Sequence, residues 1–330
     1  MRKAMLATIA LGALLVPALD AAPALALNNM SFVSHSGSDG NSCADVFNAC
    51  RTLQGATDKT AAGGEVSIVN AGDYGTWLFI NKSINITNDG AGEATLLATS
   101  APNAGVTINA GAGDVVSLRG LVIDGQGVGT TGIVVMNAFS AVHVQNCVVR
   151  NFEAPGGYGL WFAPNNDSQI FISDSIIYNN GSDQFSGGIF IAVIGSASVN
   201  VVLDRVHVEN NVLGVFVNYN LVTPTGSGSH VVLRDSVVSG NAGDGIVAKT
   251  IAGRAPAFVV VERTSSVNNA GTGILADGPG ATMLLDDDTV VRNAVGISAV
   301  NGGQLISYGN NRVNNNLGAD GTPTGNYGLH

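Results

Sequence analysis

The sequence predicts an all-β fold, a single-stranded right-handed parallel β-helix of about ten coils. Three observations predict it. Gly supplies 44 and Asn 33 of the 330 residues, and both accept the left-handed backbone of tight turns. Charged residues make up only 12% against 45% hydrophobic residues, which excludes disordered and coiled-coil classes. A unit of apolar-x-apolar-x-polar, a small residue, an apolar pair, Asn and then Gly-apolar recurs through the C-terminal two thirds. Its closing glycines, Gly132, Gly159, Gly188, Gly214, Gly245, Gly273, Gly296 and Gly318, are 22 to 31 residues apart. Three short β segments of that length cannot bury their own apolar face, but stacked coils can. Leucine-rich repeats need a Leu skeleton where this chain uses Val and Ile, and propeller blades need about 40 residues each.

The elements follow in order. Arg2 and Lys3, an apolar run from Ala4 to Val16 and Ala24-Leu25-Ala26 read as a secretory signal peptide over residues 1–26. The expected location is therefore secreted or periplasmic. Residues 27–62 form the expected N-terminal cap. Cys43 and Cys50 sit in its polar segment, where an oxidising compartment lets them pair; two free thiols are the alternative. Residues 63–330 form the β-helix. Its first full units are Val142 to Asn151 and Ile170 to Asn179, followed by Val231 to Asn241 and Val259 to Asn269. Cys147 falls inside an apolar strand pattern and reads as a buried, inert thiol. The net formal charge of −10 leaves no basic patch for nucleic acid, and no mature stretch is long and apolar enough to span a membrane.

Cys50-Arg51-Thr52-Leu53-Gln54-Gly55-Ala56 precedes Gly63-Gly64-Glu65-Val66-Ser67-Ile68, then Gly72-Asp73-Tyr74-Gly75, then Ile80 to Ile86. With this opening and the repeat behind it, the chain resembles the pectin-lyase-like right-handed β-helix superfamily, in which many exported bacterial proteins begin this way. The resemblance implies a helix from about Thr52 to Ala61 over the first coil. It covers nearly the whole mature chain and is specific for fold. It does not fix function, because lyases, hydrolases and adhesins share the architecture.

Aligning the coils gives a polar column of Gly120, Asn146, Asp174, Arg205, Asp235, Arg263, Asp287 and Asn310. Its alternating stretch, Asp174 to Asp287, reads as a structural ladder of ion pairs more than as a strip for charged sugars. A second column, Asn151, Asn179, Asn210, Asn241, Asn268, Asn293 and Asn315, reads as stacked turn asparagines. After each Gly, Ile133, Leu160, Ile189, Val215, Ile246, Ile274 and Ile297 are expected to point inward. Their neighbours Val134, Trp161, Phe190, Phe216, Val247, Leu275 and Ser298 then point outward, where polar residues are the rule. Trp161, Phe190 and Phe216 are the candidate binding stripe. Three readings stand: burial under the loops Leu221 to Ser229 and Ile251 to Ala257, a protein or self-association interface, or a platform for sugar rings. In the superfamily's polysaccharide enzymes this outer face and its loops commonly form the substrate cleft.

No catalytic residues emerge. The next outward column offers Lys249 and Asp277, one coil apart and most simply an ion pair, with Arg254 in the adjoining loop. Strand alternation sends Asp286, Asp287 and Asp288 to different sides, and the five His residues show no metal-ligand spacing. The expectation is an exported, non-catalytic protein that binds carbohydrate or a protein partner, with no cofactor or metal. The alternative is a polysaccharide lyase or glycoside hydrolase acting on acidic polysaccharide, and Ca²⁺ enters only with a lyase.

Overall fold

A computed structural model describes residues 27–99, 104–137, 141–192, 197–218 and 228–328. The expected signal peptide at 1–26 and most of the loop at 221–229 lie outside the described residues. The chain winds as a right-handed parallel β-helix. Three parallel sheets, of 12, 10 and 9 strands among the described residues, run its length and are called sheets 1, 2 and 3. A typical coil passes from Ser168–Ser173 in sheet 1 to Ile176–Tyr178 in sheet 2 and Gly187–Ile191 in sheet 3. Sheet 1 begins earlier than the sequence suggests. Asn28–Val33 already pairs with Thr60–Ile68, so the cap is built into the first coil.

The capping helix spans Leu53–Lys59, two residues shorter than expected at its C-terminal end. Thr52 caps it by accepting the N–H of Gly55 at 2.9 Å. The helix stops because Thr60 takes an extended backbone and opens the next strand of sheet 1. Cys43 and Cys50 are joined by a disulfide, and both exchange backbone hydrogen bonds with Phe32 on the first strand. Cys147 is a buried free thiol whose pKa burial pushes up to about 11, so it carries no thiolate at neutral pH.

Alternation drives one side of every strand inward. Val142, Val144, Ile170, Ile172, Val201 and Leu203 of sheet 1 are fully buried, as are Ile133, Leu160, Ile189, Val215, Ile246, Ile274 and Ile297 of sheet 3. The glycine column has a steric cause. A Cβ on Gly214 would lie 2.3 Å from the Gly245 carbonyl oxygen of the next coil, and the same carbonyl approach recurs along the column. Its last step differs from the expected register: Gly296 faces the carbonyl of Asp320, not that of Gly318. Gly214→Ala should cost about 3 kcal/mol of stability or more, because backbone on the next coil cannot yield. Urea unfolding measures this, and a loss below about 1 kcal/mol would remove the steric explanation.

The asparagines split into two adjacent columns where the sequence suggested one. Asn151, Asn179, Asn210, Asn268 and Asn315 hold left-handed backbone at the turn, with φ between 53° and 61°. The stacked ladder is the next residue in each coil: Asn180, Asn211, Asn241, Asn269, Asn293 and Asn316. Each side chain accepts from the amide of the coil before it and donates to the coil after it. Asp320 ends the ladder by accepting from the Asn316 side chain at 2.9 Å. Asn241 and Asn293 of the predicted column belong to this interior set.

A second interior ladder lies at the corner between sheets 1 and 2. Ser236 Oγ accepts from Val206 N, Thr264 Oγ1 from Ser236 N, Asp288 Oδ1 from Thr264 N, and Asn311 Oδ1 from Asp288 N. Each buried N–H thereby finds an acceptor one coil further on.

Candidate functional site

The sheet 3 stripe stacks in register, Val134 on Trp161 on Phe190 on Phe216 on Val247 on Leu275 on Ser298. Phe190 and Phe216 are only 8% and 7% exposed. Their ring centroids lie 5.3 Å apart, Tyr158 stacks on Phe190 at 5.0 Å, and Leu213, Leu275 and Trp161 pack around them. The three predicted aromatics therefore form a closed cluster with a half-buried Trp161 at its rim. They do not present three open ring faces, because the rings turn towards one another and bury their surfaces mutually.

The secondary candidates also pair. Lys249 Nζ is 2.8 Å from Asp277, to which Asn301 also donates. Burial alone would raise the Asp277 pKa, but the bonds from Lys249 and Asn301 hold it below the usual carboxylate range. Arg254 sits partly buried in the loop before Ala257.

The predicted charge column resolves into separate pairs. Arg205 grips Asp174 through Nε at 2.7 Å and through a second nitrogen at 3.1 Å, and Arg263 grips Asp235 the same way at 2.7 and 2.9 Å. Each arginine reaches back to the preceding coil and sideways to an acid of its own coil, Asp204 or Glu262. Asp287 pairs with Arg312, which lies outside the column. All five positions hold left-handed backbone, at φ 46° to 53°. Asp accepts that conformation more readily than Arg, and the guanidinium–carboxylate pairs help to hold the two Arg turns in place.

A different outer face is open. In sheet 1, His143, Phe171, Val202, Val232, Val260, Leu284 and Ile306 stack in strict parallel register, and all are half-buried. His143 lies flat on Phe171, with centroids 4.8 Å apart and planes 10° apart. Burial pushes the His143 pKa down, which keeps the ring neutral at pH 7. Beside this apolar spine runs a column of Gln169, Asn200, His230, Phe258, Thr282 and Gln304. Phe258 is 36% exposed, and Asp167, Gln169, Ser198 and Asn200 line an open recess of about 220 Å³. The other flank is the charged column of Asp204, Arg234, Glu262 and Asp286. The signal was present in the repeat itself: the middle position of apolar-x-apolar, expected to be polar, is apolar from Phe171 onward.

Among the described residues every Lys and Arg has a partner. No group of three or more His, Cys, Asp or Glu among them is arranged to hold a metal ion, and no helix among them is long and apolar enough to cross a membrane.

The family described as right handed beta helix region matches residues 103–317. The search of curated proteins found no match. Among solved structures, a pectate lyase aligns over 82% of this chain and 77% of its own, at 14% identity and a TM-score of 0.55. An alginate lyase from Paenibacillus sp. aligns over 90% of this chain and 99% of its own, at 15% identity and a TM-score of 0.54. At these identities the likeness concerns the fold.

Proposed function

The chain belongs to the right-handed β-helix family, and from that premise we propose that it binds an extended neutral polysaccharide along the outer face of sheet 1. The observation that carries this reading is the open apolar spine flanked by amides and hydroxyls. Sugar rings offer apolar C–H faces to such a spine and hydroxyl edges to Gln169, Asn200, Thr282 and Gln304. Coils repeat about every 4.8 Å, so an extended chain running along the axis meets like residues at regular intervals. The pectate lyase and alginate lyase neighbours act, by their names, on polysaccharides, which supports the ligand class. Charge separates neutral from acidic chains. The described cations are already matched by acids or held by other partners, and the net charge of −10 repels a polyuronate. Action outside the cytoplasm is part of the proposal, supported by the leader pattern at 1–26 and by the Cys43–Cys50 disulfide.

Phe171→Ala combined with Val232→Asp is expected to weaken binding to a panel of neutral polysaccharides at least about tenfold. The unfolding midpoint should stay close to that of the unmodified protein, since both positions are solvent-facing. Affinity electrophoresis measures the first and thermal unfolding the second; unchanged mobility across the panel would sink the reading. Incubation with pectate and alginate in the presence of Ca²⁺ tests the lyase alternative. Rising ultraviolet absorbance from unsaturated products would replace binding with catalysis.

A further inference from the structure

We propose that the cleft at the N-terminal cap is a second carbohydrate site, separate from sheet 1, that takes a single neutral sugar ring. The cleft has a volume of about 500 Å³ and is walled by Gln54, Asp58, Lys59, Asp39 and Trp77. Volumes of this order suit small-molecule sites. Trp77 is 47% exposed, while the next residue, Leu78, is buried as the first residue of a sheet 3 strand. Alternation at the strand start thus holds the indole outward, where it lines the cleft.

In the same lining, one carboxylate is oriented and left available. Gln54 Oε1 accepts from Phe79 N at 2.7 Å, which fixes the amide, and Gln54 Nε2 donates to Asp58 Oδ1 at 2.7 Å. Asp58 Oδ2 carries no hydrogen bond among the described residues, and Asp58 is exposed. The remaining charges are committed to the walls. Asp39 accepts from the backbone N–H of Arg51 and Thr52 and from the Thr52 hydroxyl, all at 2.9 Å. Lys59 donates to the carbonyls of Asp39 and Asn41. Gly75, at φ 118°, adds no side chain to the floor. What remains is an exposed indole beside an oriented hydroxyl acceptor, in a cleft lined by two carboxylates and one ammonium, with Lys82 acting on the Asp58 charge from outside the lining. That chemistry selects a ring with an apolar face and hydroxyl donors, and it disfavours a uronate.

The protein has two tryptophans, so the full-length Trp161→Phe protein leaves Trp77 as its only one. Trp161 Nε1 makes no hydrogen bond, so the change removes none. Emission is titrated with glucose, galactose, mannose, xylose and their short oligomers, and in parallel with galacturonate and mannuronate oligomers. The expected result is a saturable shift with at least one neutral sugar and weaker or no response to the uronates. Asp58→Ala should weaken it about tenfold or more. Asp58→Asn, which retains an acceptor for Gln54, should narrow the gap between neutral and acidic sugars. The Phe171→Ala, Val232→Asp changes should leave the shift intact, so this site and the sheet 1 reading fail separately. No saturable shift with any neutral sugar, stronger binding of uronates, or an undiminished response in both Asp58 variants overturns the proposal.

Discussion

Asn241→Ala is expected to lower the unfolding free energy by about 3–5 kcal/mol, the sum of several buried polar groups losing partners at once. Asn241 is 1% exposed. Its Oδ1 accepts from the backbone N–H of Asn211 at 3.0 Å and from the Asn211 side chain at 3.3 Å. Its Nδ2 donates to Asn269 Oδ1 at 2.8 Å and to the Val208 carbonyl at 3.3 Å. Alanine removes both ends and leaves those groups away from water. The neighbouring column supplies the contrast. Asn268 is exposed and holds φ 57°, which glycine adopts freely, so Asn268→Gly should change stability by no more than about 1 kcal/mol. Urea unfolding of the two variants decides the matter. Equal losses would mean that interior stacking contributes nothing special.

The second large effect depends on pH. Asp288 is fully buried, and desolvation raises its pKa to about 7 from the ordinary aspartate value of 3.8. The N–H groups of Thr264 and Asp286 donate to it and pull the other way, while the charges of Asp286 and Asp287 add to the rise. In the folded chain the group thus holds its proton where the unfolded chain has released it. Its contribution to stability is complete below about pH 4 and is lost as pH rises towards 7. The difference of roughly three pKa units corresponds to about 4 kcal/mol. Asp288→Thr places there the residue type found at Thr264 in the preceding coil. Relative to the unmodified protein, this variant should gain about 4 kcal/mol between pH 4 and pH 8. Denaturant titrations at both pH values measure it, and a constant difference would show that Asp288 does not titrate in this range.

Much of the fold was legible because a solenoid writes its packing once per coil. The inward residues of sheet 3 were read correctly from the Gly-apolar step, since alternation cannot slip without exposing the core. The asparagine register was harder. At Asn179-Asn180 and Asn268-Asn269 both columns use the same residue type, whereas Gly240-Asn241 and Arg292-Asn293 show which one faces inward. The aromatic stripe was placed on the correct side of its strand. Its closure could not be seen, because outward-facing rings on successive coils cover one another only in three dimensions. The sheet 1 spine was missed for the opposite reason. Val202, Val232 and Val260 look like ordinary core residues until the pairing shows that their side chains leave the barrel.

The charge pairs impose a parity rule on the array. Asp174 is served by Arg205 and Asp235 by Arg263, so the electrostatic module is two coils and not one. Removing the single coil that carries Arg205 would set Asp174 against Asp235 at about one strand spacing, a like-charge contact. Removing two coils, through Asp235, would bring Asp174 to Arg263 and restore a pair. Between the coils of Asp174 and Arg263, inserting or removing inner coils by gene duplication, deletion or engineering is therefore electrostatically neutral in even steps and penalised in odd ones.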